Sequence, residues 1–111
     1  MQISKSGQRV KANVLEPDKF IAASDDAARF LRSMGHGPRL RILCLLLEEA
    51  RSSGELARML GMREAAASQQ LALLRAERLI ESAREGQYVI YKIANPAIAQ
   101  IVGILRDTFC K

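Results

Sequence analysis

The chain has 111 residues, 49% of them apolar, which is enough for one hydrophobic core and too short for several domains. It contains no apolar run of the roughly 18 residues that a membrane span requires, and its basic N-terminal residues lack the apolar segment of a secretory signal. We therefore expect a cytoplasmic protein that does not enter a membrane. The net charge of +5 suits a polyanionic partner such as a nucleic acid.

The first segment, residues 1–17, is polar and basic and has no helical periodicity. We expect a flexible N-terminal arm here, followed by a single folded domain over residues 18–111. Two interpretations of the arm stay open: Lys5, Arg9 and Lys11 contact DNA phosphates, or they are simply solvated.

Two helices are expected next. Residues 18–34 carry apolar side chains at helical spacing, in a stripe broad enough to indicate a surface shared with a second chain. A Gly-His-Gly segment at residues 35–37 interrupts this helix. The following helix, residues 38–50, begins with a proline, which the first turn tolerates, and is apolar nearly all round. It should therefore be the central, buried helix of the domain.

Residues 52–78 have the pattern of a helix-turn-helix. A short helix over residues 55–60, with Ser53 as its N-cap, is expected to end at Gly61, which readily adopts the positive φ of a helix C-terminus. A second helix follows over residues 63–77. The second helix of this motif lies in the major groove of DNA and presents polar groups to base edges.

The second helix has one apolar and one polar face. Its expected buried stripe is Ala67, Leu71 and Leu74. Its polar side chains lie away from that stripe, and those expected to contact DNA are Arg63, Glu64, Ser68, Gln69, Gln70 and Arg75.

After the helix-turn-helix the apolar pattern changes to a period of two. Residues 79–84 and 87–93 are expected to form two strands that flank Glu85-Gly86, so a β-hairpin, or wing, follows the DNA-reading helix. Arg84 and Gln87 at its tip would reach the DNA backbone or minor groove. The alternative is a solubilising turn with one structural glycine.

A last helix is expected from Pro96, with Asn95 as its N-cap. Its apolar stripe has no obvious partner left in so small a domain, which indicates pairing with a second subunit. A symmetric dimer would place two recognition helices roughly 34 Å apart, one turn of DNA. The residues expected at the dimer interface are Phe20, Phe30, Ile98, Ile101, Val102 and Leu105.

The element order α-α-α-α-β-β-α resembles the ArsR/SmtB family of winged-helix repressors. The motifs that carry the resemblance are PRLRIL at 38–43, SQQLALLR at 68–75, EGQ at 85–87 and YVIY at 88–91. The resemblance implies a mainly α-helical winged helix-turn-helix with a small β-hairpin. It also implies a homodimeric transcriptional repressor that binds double-stranded operator DNA and leaves it when an inducer binds.

The sequence departs from the family pattern at three places around the DNA-reading helix, one of which is Ala65-Ala66, where the family often has Pro-Thr. Arg63 stands where the family usually has Ser or Gly as a cap, and losing that cap costs on the order of 1 kcal/mol. Arg78 stands where the family has Gly, so we expect a mildly strained left-handed residue there.

Metal-sensing relatives carry paired cysteines near the first motif helix, or Asp, His and Glu ligands along the last helix. In this chain the segment near the first motif helix, residues 52–56, reads SSGEL and has no cysteine. The last helix has Asp107 but no histidine. Zinc needs three or four converging ligands, and the single histidine, His36, lies in a glycine-rich loop. We therefore expect no metal site and no cofactor.

The two cysteines are the remaining candidates for a sensor. Cys44 lies in the central helix, where burial alone would explain a cysteine, and Cys110 ends the last helix 66 positions later. Their placement resembles the persulfide-responsive SqrR/BigR branch of the ArsR family. That resemblance implies that Cys44 and Cys110 join on exposure to reactive sulfur species, such as persulfide or polysulfide, and that the repressor then releases DNA.

Two other functions stay open. The first is an ArsR-type repressor with a peroxide, thiol-oxidation or metal input. The second, more distant, is a dithiol oxidoreductase, which would need a low-pKa thiol with a resolving thiol nearby, often as C-x-x-C. The chain has no such motif, no phosphate-binding loop and no catalytic histidine with partners, so we do not expect an enzyme.

Overall fold

The computed structural model describes residues 16–110. Residues 1–15, with the expected arm contacts of Lys5, Arg9 and Lys11, lie outside the described residues, as does Lys111. The elements are, in chain order, α1 (Pro17–Met34), α2 (Gly37–Glu48), β1 (Arg51–Ser52), α3 (Ser53–Leu60), α4 (Glu64–Ala76), β2 (Ile80–Glu85), β3 (Tyr88–Ile93) and α5 (Pro96–Phe109).

The expected element order is confirmed, with one strand that the sequence did not indicate. The two residues of β1 pair antiparallel with β3, giving the sheet order β1-β3-β2. Arg51 fixes this strand to the end of α2, because its Nε donates to the Leu45 carbonyl (3.2 Å) and its Nη2 donates to Glu48 (2.7 Å). The wing is therefore joined to the central helix as well as to α4.

The N-cap of α3 is Ser52, so the prediction of Ser53 was wrong by one residue. Ser52 has an extended backbone, and its Oγ accepts from the Glu55 N–H (3.2 Å). The Glu55 Oε1 accepts in return from the Ser52 N–H (3.0 Å), which completes a capping box. Ser53 is already helical, and its hydroxyl donates instead to the Glu64 Oε2 (3.0 Å).

The turn between α3 and α4 forms where expected. Gly61 has φ 63° and ends α3 in the left-handed conformation. Arg63 is the N-cap of α4 but provides no side-chain hydrogen bond, as its departure from the family pattern predicted. At the far end of α4, Arg78 has φ 63°, the left-handed position that was expected there.

The hairpin turn lies one residue later than expected. Glu85 pairs with Tyr88, so the two loop residues are Gly86 and Gln87. Gly86 has φ 63°, and a glycine at the first loop position is typical of a two-residue hairpin turn.

The core is built around α2, whose Ile42, Leu43 and Leu46 are buried. The other largest buried side chains come from the surrounding elements and are Leu56, Leu71, Leu74, Leu79, Ile80, Ile98 and Val102. The expected stripe of α4, with Ala67, Leu71 and Leu74, is confirmed as buried.

The apolar stripe of α5 has a partner inside the chain, contrary to the prediction. Ile98 and Val102 are fully buried against the core, and Ile101 and Leu105 are half-buried beside it. Ile98 and Val102 therefore stabilise the domain itself and are not available to a second subunit. Asn95 begins the helix as expected, since its Oδ1 accepts from the Ile98 N–H (3.1 Å).

Other apolar side chains remain exposed on the two end helices. Phe30 of α1 packs against the core, whereas Phe20 and Leu31 are 60% and 58% exposed. On α5, Ile104 and Phe109 are likewise exposed. Over residues 16–110, none of the helices is long and apolar enough to cross a membrane.

Candidate nucleic-acid interface and cysteine pair

The outer face of α4 carries most of the side chains expected to contact DNA. The exposed ones are Arg63, Glu64, Ser68, Gln69 and Arg75. They lie opposite the buried stripe, so the packing of α4 against the core leaves this polar face open to a large partner. Because Ser68 and Gln69 carry hydrogen-bonding groups and the arginines carry positive charge, the face offers both base-reading and phosphate-binding chemistry.

Glu64 is exposed, yet its carboxylate is already engaged within the chain. Its Oε2 accepts from the Ser53 hydroxyl (3.0 Å), which ties the start of α4 to the start of α3. A Cβ on Gly54 would lie within 4 Å of both the Glu64 carboxylate and the Arg58 guanidinium. Glu64 therefore stabilises the helix-turn-helix, and Arg58 is an exposed cation beside it that the sequence analysis missed.

Gln70 differs from its neighbours because it is half-buried. Its Oε1 accepts from the Nε of Arg39, on the first turn of α2 (3.1 Å). The structure thus places this side chain between α2 and α4 and separates it from the exposed set.

The wing presents its tip residues to the solvent. Arg84 and Gln87 are exposed, and Tyr88 beside them is 66% exposed. A groove runs between the wing and the start of α3, and both Gln87 and Arg58 line it. The wing and the start of α3 therefore lie side by side along this groove.

The two helices that carry the cysteines, which lie 66 positions apart in the sequence, pack against each other. Leu47 of α2 lies beside Gly103 of α5, so the second half of α2 packs against the middle of α5. Cys44 is half-buried, whereas Cys110 is exposed and caps the end of α5. The two thiols are near enough for the charge of Cys110 to affect the pKa of Cys44.

Burial raises the pKa of the Cys44 thiol above its ordinary value, and a negative charge on Cys110 raises it further. Arg106 opposes this effect, because its positive charge favours the thiolate and lowers the pKa, whereas Glu48 raises it. The net effect keeps Cys44 protonated over a wider pH range than a free cysteine. Both thiols are free in the structure.

No group of three or more His, Cys, Asp or Glu side chains able to hold a metal ion occurs within the part of the chain that the structure describes. His36 is exposed in the connection before α2.

Comparison with known proteins shows which family of regulators contains this helix-turn-helix. Residues 37–82 match the family model described as "Bacterial regulatory protein, arsR family". The chain is 41% identical over 90 residues to the HTH-type transcriptional regulator YgaV of Escherichia coli K12, a match that covers 80% of this chain and 91% of that protein.

Solved structures agree with this relationship. Reduced HlyU from Vibrio cholerae has a TM-score of 0.79 at 32% identity, covering 85% of this chain and 99% of that one. The transcriptional repressor BigR from Xylella fastidiosa has a TM-score of 0.75 at 29% identity, covering 86% and 94%. A homodimeric winged helix-turn-helix DNA-binding domain, Mb0332 of Mycobacterium bovis, has a TM-score of 0.76 at 31% identity, covering 84% and 86%. The chain therefore belongs to the arsR family of DNA-binding transcriptional regulators, in its BigR-like branch.

Proposed function

We propose that this regulator is a homodimeric repressor that binds double-stranded operator DNA and releases it when reactive sulfur species link Cys44 to Cys110. The observation that carries the proposal is the packing of α5 against α2, with Leu47 beside Gly103, and it is supported by the effect of a charge on Cys110 on the pKa of Cys44. The similarity to BigR, which is described as a transcriptional repressor, supports the direction of regulation.

The proposed DNA contacts are of two kinds, those that read bases and those that bind phosphates. Ser68 and Gln69 of α4 are the proposed base-reading side chains. The exposed arginines of α4 and the wing, Arg63, Arg75 and Arg84, bind phosphates, and Gln87 contacts the DNA from the wing tip. Glu64 acts indirectly, since its hydrogen bond to Ser53 holds α3 against α4.

Cys110 is the proposed first nucleophile. It is exposed at the end of α5, whereas Cys44 is half-buried and has a raised pKa. The thiolate is the reactive form of cysteine, so the more accessible thiol reacts first and the protonated, sheltered one acts second.

The proposed reaction uses an organic polysulfide as the oxidant. The Cys110 thiolate attacks a sulfur atom of the polysulfide, forms an S–S bond and expels one thiolate or persulfide anion. Cys44 then loses its proton to the solvent, and its thiolate attacks the protein-bound polysulfide and expels the rest of the donor as a second anion. Two electrons pass from the two cysteines to the donor, and the sulfur atoms retained between the two Sγ atoms form the bridge.

The bridge would act on DNA binding through α2. It links the end of α5 to the central helix, which also contacts α4 through Arg39 and the wing through Arg51. A shift of α2 would change the placement of the recognition helices. Allosteric couplings of about 1–3 kcal/mol change affinity roughly 5- to 150-fold.

DNA-release titrations test the sensor. The probe is a fluorescent duplex selected from a random-sequence pool by the wild-type protein, and the inducer is an organic tetrasulfide. We expect Cys44→Ser and Cys110→Ser to bind the duplex as the wild type does, and to lose the roughly 5- to 150-fold release. Release that persists in either variant would remove that cysteine from the mechanism.

Mass spectrometry of the released wild-type protein identifies the bridge. We expect additional sulfur atoms between Cys44 and Cys110, and reversal by a dithiol reductant. A loss of two hydrogens without added sulfur, together with equal release by hydrogen peroxide, would instead identify a thiol-oxidation sensor.

A further inference from the structure

Arg39 is a polar side chain at the corner between α1 and α2 that the proposed DNA contacts do not use. It is half-buried, and its guanidinium contacts two other elements. Its Nε donates to the Gln70 Oε1 of α4 (3.1 Å), and its Nη1 donates to the Ser33 carbonyl near the end of α1 (3.4 Å). One side chain therefore connects α1, α2 and α4.

The contact with Arg39 fixes the orientation of the Gln70 amide. A guanidinium carries only hydrogen-bond donors, so the amide oxygen must face it and cannot face outward. A glutamine that reads adenine does so with both its oxygen and its NH2 group. Gln70 is thus unable to make that paired contact while it is bound to Arg39.

A second hydrogen bond ties the same corner to the end of α4. Ser33 is 7% exposed, and its Oγ donates to the Oε1 of Glu77, the C-cap of α4 (2.9 Å). Gln70 and Glu77 are seven residues apart, which is two helical turns, so they lie on the same side of α4, about 10 Å apart. Two separated contacts restrain the direction of a helix, whereas one contact leaves it free to swing.

We infer that Arg39 and Gln70 are positioning residues, which hold the recognition helix at the angle required for DNA and do not themselves read bases or bind phosphate. Together with the contact between Ser33 and Glu77, they set α4 relative to the corner of α1 and α2. This inference depends on α4 being the recognition helix, and it is independent of the cysteine chemistry.

A double-mutant cycle tests the pair, with DNA affinity for the selected duplex as the readout. We expect Arg39→Met and Gln70→Met each to lower affinity about tenfold, and the double variant to lower it no further than Arg39→Met does, because Arg39→Met already breaks the contact that Gln70→Met removes. The control is Arg41→Met, which removes a positive charge from an exposed position of the same helix. Losses that multiply in the double variant, or no loss in either single variant, would overturn the inference.

Two further measurements separate positioning from direct contact. A phosphate contact by Arg39 would lower the slope of log affinity against log salt by about one in Arg39→Met, and a base contact by Gln70 would relax the sequence preference at one position in Gln70→Met. We expect the salt slope and the sequence selected from a random pool to stay unchanged. Either change would overturn the positioning role, and circular dichroism ensures that only folded variants are compared.

Discussion

Burial and, after it, three neighbouring charges shift the pKa of the Cys44 thiol. Burial and the charges of Cys110 and Glu48 raise its pKa, and Arg106, one turn before the end of α5, lowers it. Because the thiolate is the nucleophile, each of these neighbours changes the fraction of reactive Cys44 at a given pH. Arg106 and Cys110 both belong to α5, so the docking of this helix determines the chemistry of a residue on α2.

Alkylation rates test this arrangement at the residue level. In a Cys110→Ser background, we expect Arg106→Met to slow alkylation of Cys44 roughly twofold to threefold near pH 8, because loss of the positive charge raises the pKa further. Glu48→Gln should change the rate in the opposite direction. Iodoacetamide labelling followed by mass spectrometry gives the alkylation rate of Cys44 in each variant. The difference between the two variants should disappear at a pH well above the pKa of Cys44. Equal rates at pH 8 would contradict the charge assignment.

The elements are joined by short polar contacts that also define their ends. The capping box of Ser52 and Glu55 starts α3, and the hydrogen bond between Ser53 and Glu64 joins α3 to α4. The hydrogen bond from the Ser52 backbone is the main cause of the lowered pKa of Glu55. Its stabilising contribution is therefore present above the ordinary pKa of glutamate and is lost as the pH falls through the lowered one.

Adjacent serines provide a matched test of this cap. We expect Ser52→Ala to lower the free energy of unfolding by about 1 kcal/mol, because the Glu55 N–H loses its acceptor. Ser53→Ala removes only an exposed hydrogen bond and should cost less than about 0.5 kcal/mol. Urea unfolding followed by circular dichroism measures both values. A larger loss for Ser53→Ala would favour the N-cap first inferred from the sequence.

At the level of the whole molecule, a single chain leaves apolar surface open on its two end helices. The exposed apolar side chains are Phe20 and Leu31 of α1 and Ile104 and Phe109 of α5. Ile98 and Val102, in contrast, are buried in the core of the domain. We propose that the exposed residues, with half-buried Phe30, form the dimer interface in place of the two buried ones.

Sedimentation measurements test this surface. We expect Leu31→Asp and Ile104→Asp to give folded monomers, since a charge buried without a partner opposes association. Affinity for the selected duplex should fall roughly 100-fold, because a monomer loses the benefit of linking two binding sites. Met59→Asp, an exposed apolar position on α3, is the control and should remain dimeric. Dimers that persist in both α1 and α5 variants would exclude this interface.

The sequence by itself determined the features that depend on neighbours a few residues apart. Gly61 and Gly86 mark turns through their positive φ, Asn95 caps α5 by bonding an N–H three residues later, and the spacing of Ala67, Leu71 and Leu74 defines the buried side of α4. Each of these signals involves local hydrogen bonds or a local period, so no knowledge of the packing is needed to interpret it.

Only the tertiary structure decided which remote groups meet. A two-residue strand such as β1 has no period to detect, and its pairing with β3 depends on where Arg51 holds it. The burial of Ile98 and Val102 and the bond between Arg39 and Gln70 follow from how helices pack, because an apolar or polar side chain does not encode its distant partner. The pairing of Cys44 with Cys110, which the resemblance predicts, stays a proposal that depends on the packing of α5 against α2.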